Sequence, residues 1–347
     1  MSAHVPAELP PVTVVVVTYN EADNIADCLG SLLALRYPTE KLDILVVDGA
    51  SSDATARIVE EIAGRHPHVR LLDNPGRTIA SNRNVGVRAA RHGLLAFTDA
   101  DCRVPPDWLR TLTDAYRKLR VAQPALVAVG GGNVPPAGER SDFLDALGLT
   151  LDTFLGSLGS VQGRRPTQPV VVPSLACLNV LYDRDAVRDA GGFDVGMANM
   201  GEDAELNHRL GLRGGVLMFV PGADVAHRLR GTPSAWFANM VGYGRGRVRL
   251  FRKHRALLTP TYALPLGFLA AFAVVPLAPL VGPWALLPLT YVPALAAYSG
   301  WLAVRAGRPA LAGRVFLAFA LTHWGYALGM AAELLAGGAQ AAVAEPA

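Results

Sequence analysis

Charge is what this sequence lacks over much of its last third: from Ala256 to Val304, about 49 residues, there is no Asp, Glu, Lys or Arg. One membrane-crossing helix needs about 20 apolar residues, so the stretch has room for two helices and a turn rather than the buried hairpin of a soluble protein. Cysteine is scarce too. Cys28, Cys102 and Cys177 form no Cys-x-x-Cys pair, which argues against structural zinc and fits a reduced compartment. Met1 to Pro11 has no Lys or Arg, and Val12 to Val17 is short and leads straight into polar residues, so no signal peptide is expected. Missing as well is a Gly-rich phosphate loop after Val17 or Val47. That counts against dinucleotide redox chemistry and P-loop hydrolysis, and leaves any diphosphate to metal and side chains. The net charge of +3 comes without a long basic stripe interleaved with aromatics, so nucleic acid is not an expected partner.

What is present divides the chain. A third apolar stretch runs from Val315 to about Leu335, and Pro276, Pro279, Gly282 and Pro283 mark the turn between the first two. Transmembrane helices are therefore expected at about 257–280, 284–304 and 314–335 within a membrane region 257–337, followed by a tail at 338–347. Arg245, Arg247, Arg249, Arg252, Lys253 and Arg255 precede the first span, and Arg305, Arg308 and Arg314 lie between the second and third. Basic loops stay cytoplasmic. The expectation is a multi-pass protein of the plasma (inner) membrane with its hydrophilic part cytoplasmic and its C-terminus outside.

After a tail at 1–11, the hydrophilic domain at 12–230 opens with Val12 to Thr18, a β-branched run of the kind buried on both faces. A helical pattern from Asn24 to Leu35 follows, then a strand at Leu42 to Val47 and a helix from about Asp53 to Arg65. A strand at Val69 to Leu72, a helix from about Ser81 to His92 and a strand at Leu94 to Thr98 complete this half. Such alternation predicts an α/β fold, a mostly parallel sheet with helices on both faces. Ligands bind outside the carboxyl ends of such strands, and the residues there are polar: Thr18, Tyr19, Asn20 and Glu21; then Asp48, Ser51, Ser52 and Asp53; then Asp99 and Asp101.

Two carboxylates one residue apart, Asp99-Ala100-Asp101, can hold a divalent cation against a diphosphate. Asp48, ending a buried strand, needs donors, and the imide N–H of a uracil or thymine ring would be one. Asp53 suits a helix cap as well as a ligand contact. Arg77 and Arg83 supply cations nearby, Arg83 being either a phosphate contact or a solvated helix charge.

Further on, Asp142 to Leu158 reads as a helix, and 163–169 as a loop. Strands are expected at Val170 to Val172 and at Gly215 to Val220; between them Asn179-Val180-Leu181-Tyr182 leads to a helix from near Asp183, and Ala204 to Leu210 continues as a helix. Glu202 and Asp203 are either dipole partners of a helix start or catalytic carboxylates. His227, after a strand, is either a surface histidine or a third metal ligand. The segment 231–256, with Trp236, Phe237, Tyr243 and Phe251 among its arginines, suits a membrane interface.

Taken in order, Thr18-Tyr19-Asn20-Glu21, Val47-Asp48-Gly49 with Ser52-Asp53, Asp99-Ala100-Asp101, Gly191-Gly192-Phe193-Asp194 and Glu202-Asp203 resemble the inverting glycosyltransferases of family 2, which have the GT-A (Rossmann-like) fold. The resemblance covers roughly Val12 to Arg230. Within the family the chain looks most like membrane-anchored enzymes of exopolysaccharide assembly, the succinoglycan type, through Tyr243-Gly244-Arg245-Gly246-Arg247. The Gln-x-x-Arg-Trp signature of processive synthases is absent.

The resemblance implies that Thr18, Tyr19, Asn20, Glu21, Asp48 and Asp53 hold a nucleotide sugar, with uridine favoured. Arg83, Arg245 and Arg247 would meet its diphosphate or a lipid phosphate, although positive-inside anchoring explains the last two equally. Asp99 and Asp101 would serve the ribose and Mg2+ or Mn2+. Asp203 would be the catalytic base beside Glu202. The expected acceptor is a lipid or lipid-linked saccharide, the setting a polysaccharide assembly complex. The alternative is a non-catalytic sugar-nucleotide sensor or scaffold, which would not need Asp203.

Overall fold

A computed structural model describes residues 8–136, 141–157, 166–197, 199–228, 231–258 and 260–336. It divides into two compact units, one of residues 8–136 and 166–228, the other of residues 141–157 and 231–336.

In the first unit the apolar runs become strands because only a fully covered strand can hide so many branched side chains. β1 (Val12–Thr18) is followed by α1 (Ile25–Leu33), β2 (Leu42–Asp48), α2 (Thr55–Ala63), β3 (Val69–Asp73), α3 (Ile79–Ala89) and β4 (Leu94–Asp99). β1 and β2 are buried at every position. β5 (Cys102–Arg103) leads to α4 (Trp108–Ala122), β6 (Leu126–Gly130) and β7 (Asn133–Val134). α4 is not among the elements expected from the sequence. Its Trp108, Leu109, Leu112 and Tyr116 form the buried stripe, and Trp108 Nε1 donates to Asn179 Oδ1 at 2.8 Å.

The second unit opens, in chain order, with α5 (Asp142–Leu151) and α6 (Phe154–Ser157), after which the chain returns to the first. There it forms β8 (Val170–Val171), β9 (Val180–Asp183), α7 (Arg184–Asp189), α8 (Glu202–Leu212), β10 (Val216–Phe219) and β11 (Val225–His227). The main sheet runs β3-β2-β1-β4-β9-β6-β10-β8, and a small sheet runs β5-β11-β7. β1, β2, β3 and β4 pair in parallel, while β9 is antiparallel to both β4 and β6. Register aligns the strand ends: Thr18 faces Asp48, and Val17 faces Asp99. The loops after β1, β2 and β4 therefore open at one edge, where β1 is flanked by strands that continue in opposite directions along the sheet.

The second unit is helical. It continues with α9 (Pro233–Lys253), α10 (Pro260–Val274), α11 (Ala278–Val281), α12 (Tyr291–Arg305) and α13 (Ala312–Leu335), with a 3₁₀ helix at Pro283–Thr290. Three segments are long and apolar enough to cross a membrane: Ala263–Val281, Pro283–Arg305 and Pro309–Leu335. The expected turn falls at Gly282, whose φ of 106° suits only glycine. The helix expected over Asp142 to Leu158 breaks after Leu151, and residues 158–165 lie outside the described residues. α5 packs Phe143 and Leu147 against Trp236, Met240 and Ala318. This places it with the C-terminal helices instead of inside a continuous 12–230 domain.

Candidate active site

The first two loops are laced together. Asn20, at φ 53°, donates its N–H to Ser51 Oγ (2.8 Å) and accepts the Ser52 N–H on Oδ1 (2.8 Å). Glu21 N–H donates to Thr55 Oγ1 at 2.8 Å, and Ala22 N–H to Asp53 Oδ2 at 3.1 Å. Asp53 also accepts the Thr55 hydroxyl and N–H. These bonds, the Thr55 hydroxyl foremost, hold its carboxyl below the usual range. Asp53 thus serves as a turn-capping residue that fixes both loops. Asp48 is buried, and its donors come from its own loop, the Ser51 hydroxyl and N–H, rather than requiring a base. Tyr19 stands half exposed beside this lacework, and Thr18 Oγ1 is buried with no partner.

Arg83 joins the third loop to a distant helix. It is 4% exposed; one amino group donates to Asp99 Oδ1 at 3.1 Å, and the other to Glu202 Oε1. Its guanidinium lies 5.7 Å from the Phe193 ring centroid. Asn84 fixes that ring by a reciprocal pair of 2.7 Å bonds to the Phe193 backbone. A side chain on Gly192, at φ 72°, would strike Asn84 Oδ1. Glu202 and Asp203 begin α8 behind Gly201 at φ 86°. Burial pushes the Glu202 carboxyl up, to about 7, against the pull of Arg83. Its Oε2 is buried without a partner. Asp203 is half-buried one residue on, and its Oδ1 accepts the Ala204 N–H at 2.7 Å.

The short sheet explains His227. β11 pairs antiparallel with β5, so His227 faces Cys102 in register, and its Nε2 stands 3.4 Å from Asp101 Oδ2. Among the described residues, the group of metal-ligating atoms that closes within 4.8 Å is Asp101, Cys102 and His227. Burial drives the Cys102 thiol well above its usual pKa, with Asp99 and Asp101 adding to the effect. Asp101 and His227 bring a carboxylate oxygen and an imidazole nitrogen, donors that suit Mg2+ or Mn2+. Asp99 turns its carboxylate to Arg83 instead and is 32% exposed. Burial raises its pKa, Arg83 opposes, and Asp101 adds to the rise. The two halves of Asp99-Ala100-Asp101 are thus directed differently, which spacing alone did not reveal.

Residues 13–189 match the family described as glycosyl transferase family 2. The chain belongs to that family. The glycosyltransferase is 30% identical over 290 residues to the succinoglycan biosynthesis protein ExoA of Rhizobium meliloti, covering 80% of this chain and 83% of that one. It is 27% identical over 273 residues to the glycosyltransferase AglE of Haloferax volcanii, covering 76% and 82%. Among solved structures, the mannosyltransferase PcManGT of Pyrobaculum calidifontis, in complex with GDP-Man and Mn2+, matches with a TM-score of 0.60 at 25% identity, covering 96% of this chain and 89% of that one. The GT-A fold of this glycosyltransferase is seen in such neighbours.

Arg245 and Arg247 of the glycosyltransferase lie on α9 in the second unit. Arg247 Nε donates to Tyr326 Oη at 3.1 Å, and its guanidinium lies 5.9 Å from the Phe251 ring centroid, while Arg245 is exposed. Ser51 is among the polar residues expected at the strand ends, but its bond to Asp48 is not legible in the sequence, nor is the part of Cys102 as neighbour of the Asp101–His227 pair. The signal for Cys102 was its place directly after Asp101, at the start of β5.

Proposed function

We propose that this family 2 enzyme is an inverting, metal-dependent hexosyltransferase. It moves one sugar from a nucleotide sugar, with UDP favoured, to a lipid or lipid-linked saccharide acceptor in polysaccharide or glycolipid synthesis. The observation that carries the reading is the Arg83 bridge, which ties the Asp99 loop to the start of α8, where Asp203 stands. The ExoA relative is named for succinoglycan biosynthesis, and PcManGT is seen in complex with GDP-Man and Mn2+. The membrane association fits the apolar helices, with the catalytic unit on the cytoplasmic face.

In this reading Asn20, Glu21, Asp48 and Asp53 shape the nucleotide pocket, with Thr18 and Tyr19 at its wall. Asp101 and His227, with Asp99 beside them, hold the ion, which when bound supplies positive charge against the departing diphosphate. Asp203 takes the proton of the acceptor hydroxyl as that oxygen attacks the anomeric carbon from the face opposite the breaking bond. Glu202, clamped by Arg83, sets the direction of α8's first turn. Arg245 and Arg247 meet anionic groups at the membrane surface.

The test is release of nucleoside diphosphate from a panel of nucleotide sugars by membranes carrying the protein, with Mg2+, Mn2+ or chelator. Asp203→Asn should lower turnover by about 10²–10⁴-fold, the usual contribution of a general base, with donor binding retained. Metal-dependent binding without turnover, across a broad set of acceptors, would overturn the assignment.

A further inference from the structure

The way the helices of the second unit pair bears on how many of them cross a membrane. α9 and α13 run parallel along their length. Trp236 Nε1 donates to Thr322 Oγ1 at 3.0 Å, Val241 backs onto Gly329, Gly244 onto Tyr326 and Met330, and Arg249 reaches Glu333 at 3.1 Å. Arg252 donates to the Glu333 carbonyl at 2.9 Å. α12 lies antiparallel to α13, with Tyr291 bonded to His323 at 3.0 Å, Tyr298 against Phe319 and Leu295 in a cluster with Leu311 and Val315. At its start, α13 is tied to α5 by Arg314 to Asp142 at 3.1 Å and by Arg308 to Asp145.

If α13 crossed the bilayer, α9 would be carried in beside it with Arg245, Arg247, Arg249, Arg252 and Lys253, a basic cluster that Glu333 alone does not balance and that is costly to place in hydrocarbon. α5 would go with its other end, bringing Asp142 and Asp145. α13 is also the most protein-covered of the three apolar segments, with 44% of its apolar window buried, against 0% for Ala263–Val281 and 17% for Pro283–Arg305.

What stands clear of these paired helices is an apolar hairpin. Phe268 and Phe272 still touch Trp324 and Tyr291. Beyond them the chain goes out to Gly282 and returns through the 3₁₀ helix, exposing Leu277, Leu280, Trp284 and Leu287. At helical rises of about 1.5 and 2.0 Å per residue, each leg beyond Phe272 reaches about 14–16 Å. The hydrocarbon core is about 30 Å thick.

We propose that the protein is monotopic. α5, α9, α12 and α13 lie along the cytoplasmic face of the membrane, and the hairpin around Gly282 dips into the near leaflet. No segment emerges on the far side, which replaces the expectation of three crossings with the C-terminus outside. The anchor grips one leaflet only, and the end of α13 stays on the same side as the catalytic unit.

The test needs no transfer activity, so it is independent of the proposed function. Green fluorescent protein and alkaline phosphatase are fused in turn after Ala336 in the full-length protein, expressed in a bacterial inner membrane. In parallel, Leu280→Cys is probed in intact cells with a membrane-impermeant maleimide; the natural cysteines are all buried. Bright fluorescence, inactive phosphatase and no labelling of Leu280→Cys are expected. Active phosphatase would restore three crossings. A fluorescent C-terminal fusion with labelled Leu280→Cys would mean a two-span hairpin and would equally overturn the proposal.

Discussion

Asp43 and Arg83 show how a buried charge in this enzyme is made tolerable by geometry. Arg70 grips Asp43 with two bonds of 2.8 Å, and Thr13 donates at 3.0 Å. Burial pushes the Asp43 carboxyl up, but Arg70 and Thr13 outweigh it and hold it below its ordinary 3.8. A carboxyl with a depressed folded pKa stabilises the fold fully above the unfolded value and loses that contribution as pH falls through the folded one. Asp43→Asn should therefore cost stability at pH 7 and flatten the acid limb below about pH 4, read by thermal unfolding across pH. Arg83→Met leaves Glu202 and Asp99 without their shared cation. A loss of about 3–5 kcal/mol, the usual cost of breaking a buried pair from one side, is expected, and adding Glu202→Gln should recover part of it. Spacing alone made the carboxylates of this site legible, because acids at the ends of buried strands stand out. Their partners were not, since a hydrogen bond from Ser51 to Asp48, or the turn of Asp99 toward Arg83, depends on loop conformation.

At the scale of elements, the buried strands β1, β2 and β4 could be read from the chain almost to the residue, since an unbroken branched run admits few alternatives. α4 escaped because its apolar stripe is diluted by Arg110, Asp114, Arg117, Lys118 and Arg120. The small strands β5, β7 and β11 are two or three residues long and carry no periodicity to read. Close helix packing was equally hidden. A side chain on Gly244 would run its Cβ into the Tyr326 carbonyl, and one on Gly329 into the Val241 carbonyl. Small residues let helix backbones approach this closely. The Tyr243-Gly244-Arg245-Gly246-Arg247 segment is thus a packing motif as well as a basic one. Gly244→Leu should cost about 1–3 kcal/mol as overpacking and lower the melting temperature of the detergent-solubilised protein. Arg245→Gln, on an exposed side chain of the same helix, should leave it nearly unchanged.

For the whole molecule, the chain visits the helical unit twice, first as 141–157 and again from 231 onward. A cut near residue 230, the boundary that motif order suggests, would therefore not yield an intact catalytic domain. It would leave α5 with Phe143, Ala146 and Leu147 stripped of Trp236, Met240, Leu295, Val315 and Phe319, on which they pack. Exposed apolar clusters of that kind drive association. A protein ending at residue 232 should elute as soluble aggregate in size-exclusion chromatography. The same truncation with residues 137–165 replaced by a short Gly-Ser linker should elute as a monomer, because β7 and β8, which flank that excursion, both pair with strands of the first unit. Monomeric behaviour of the simple truncation would mean that α5 finds other cover.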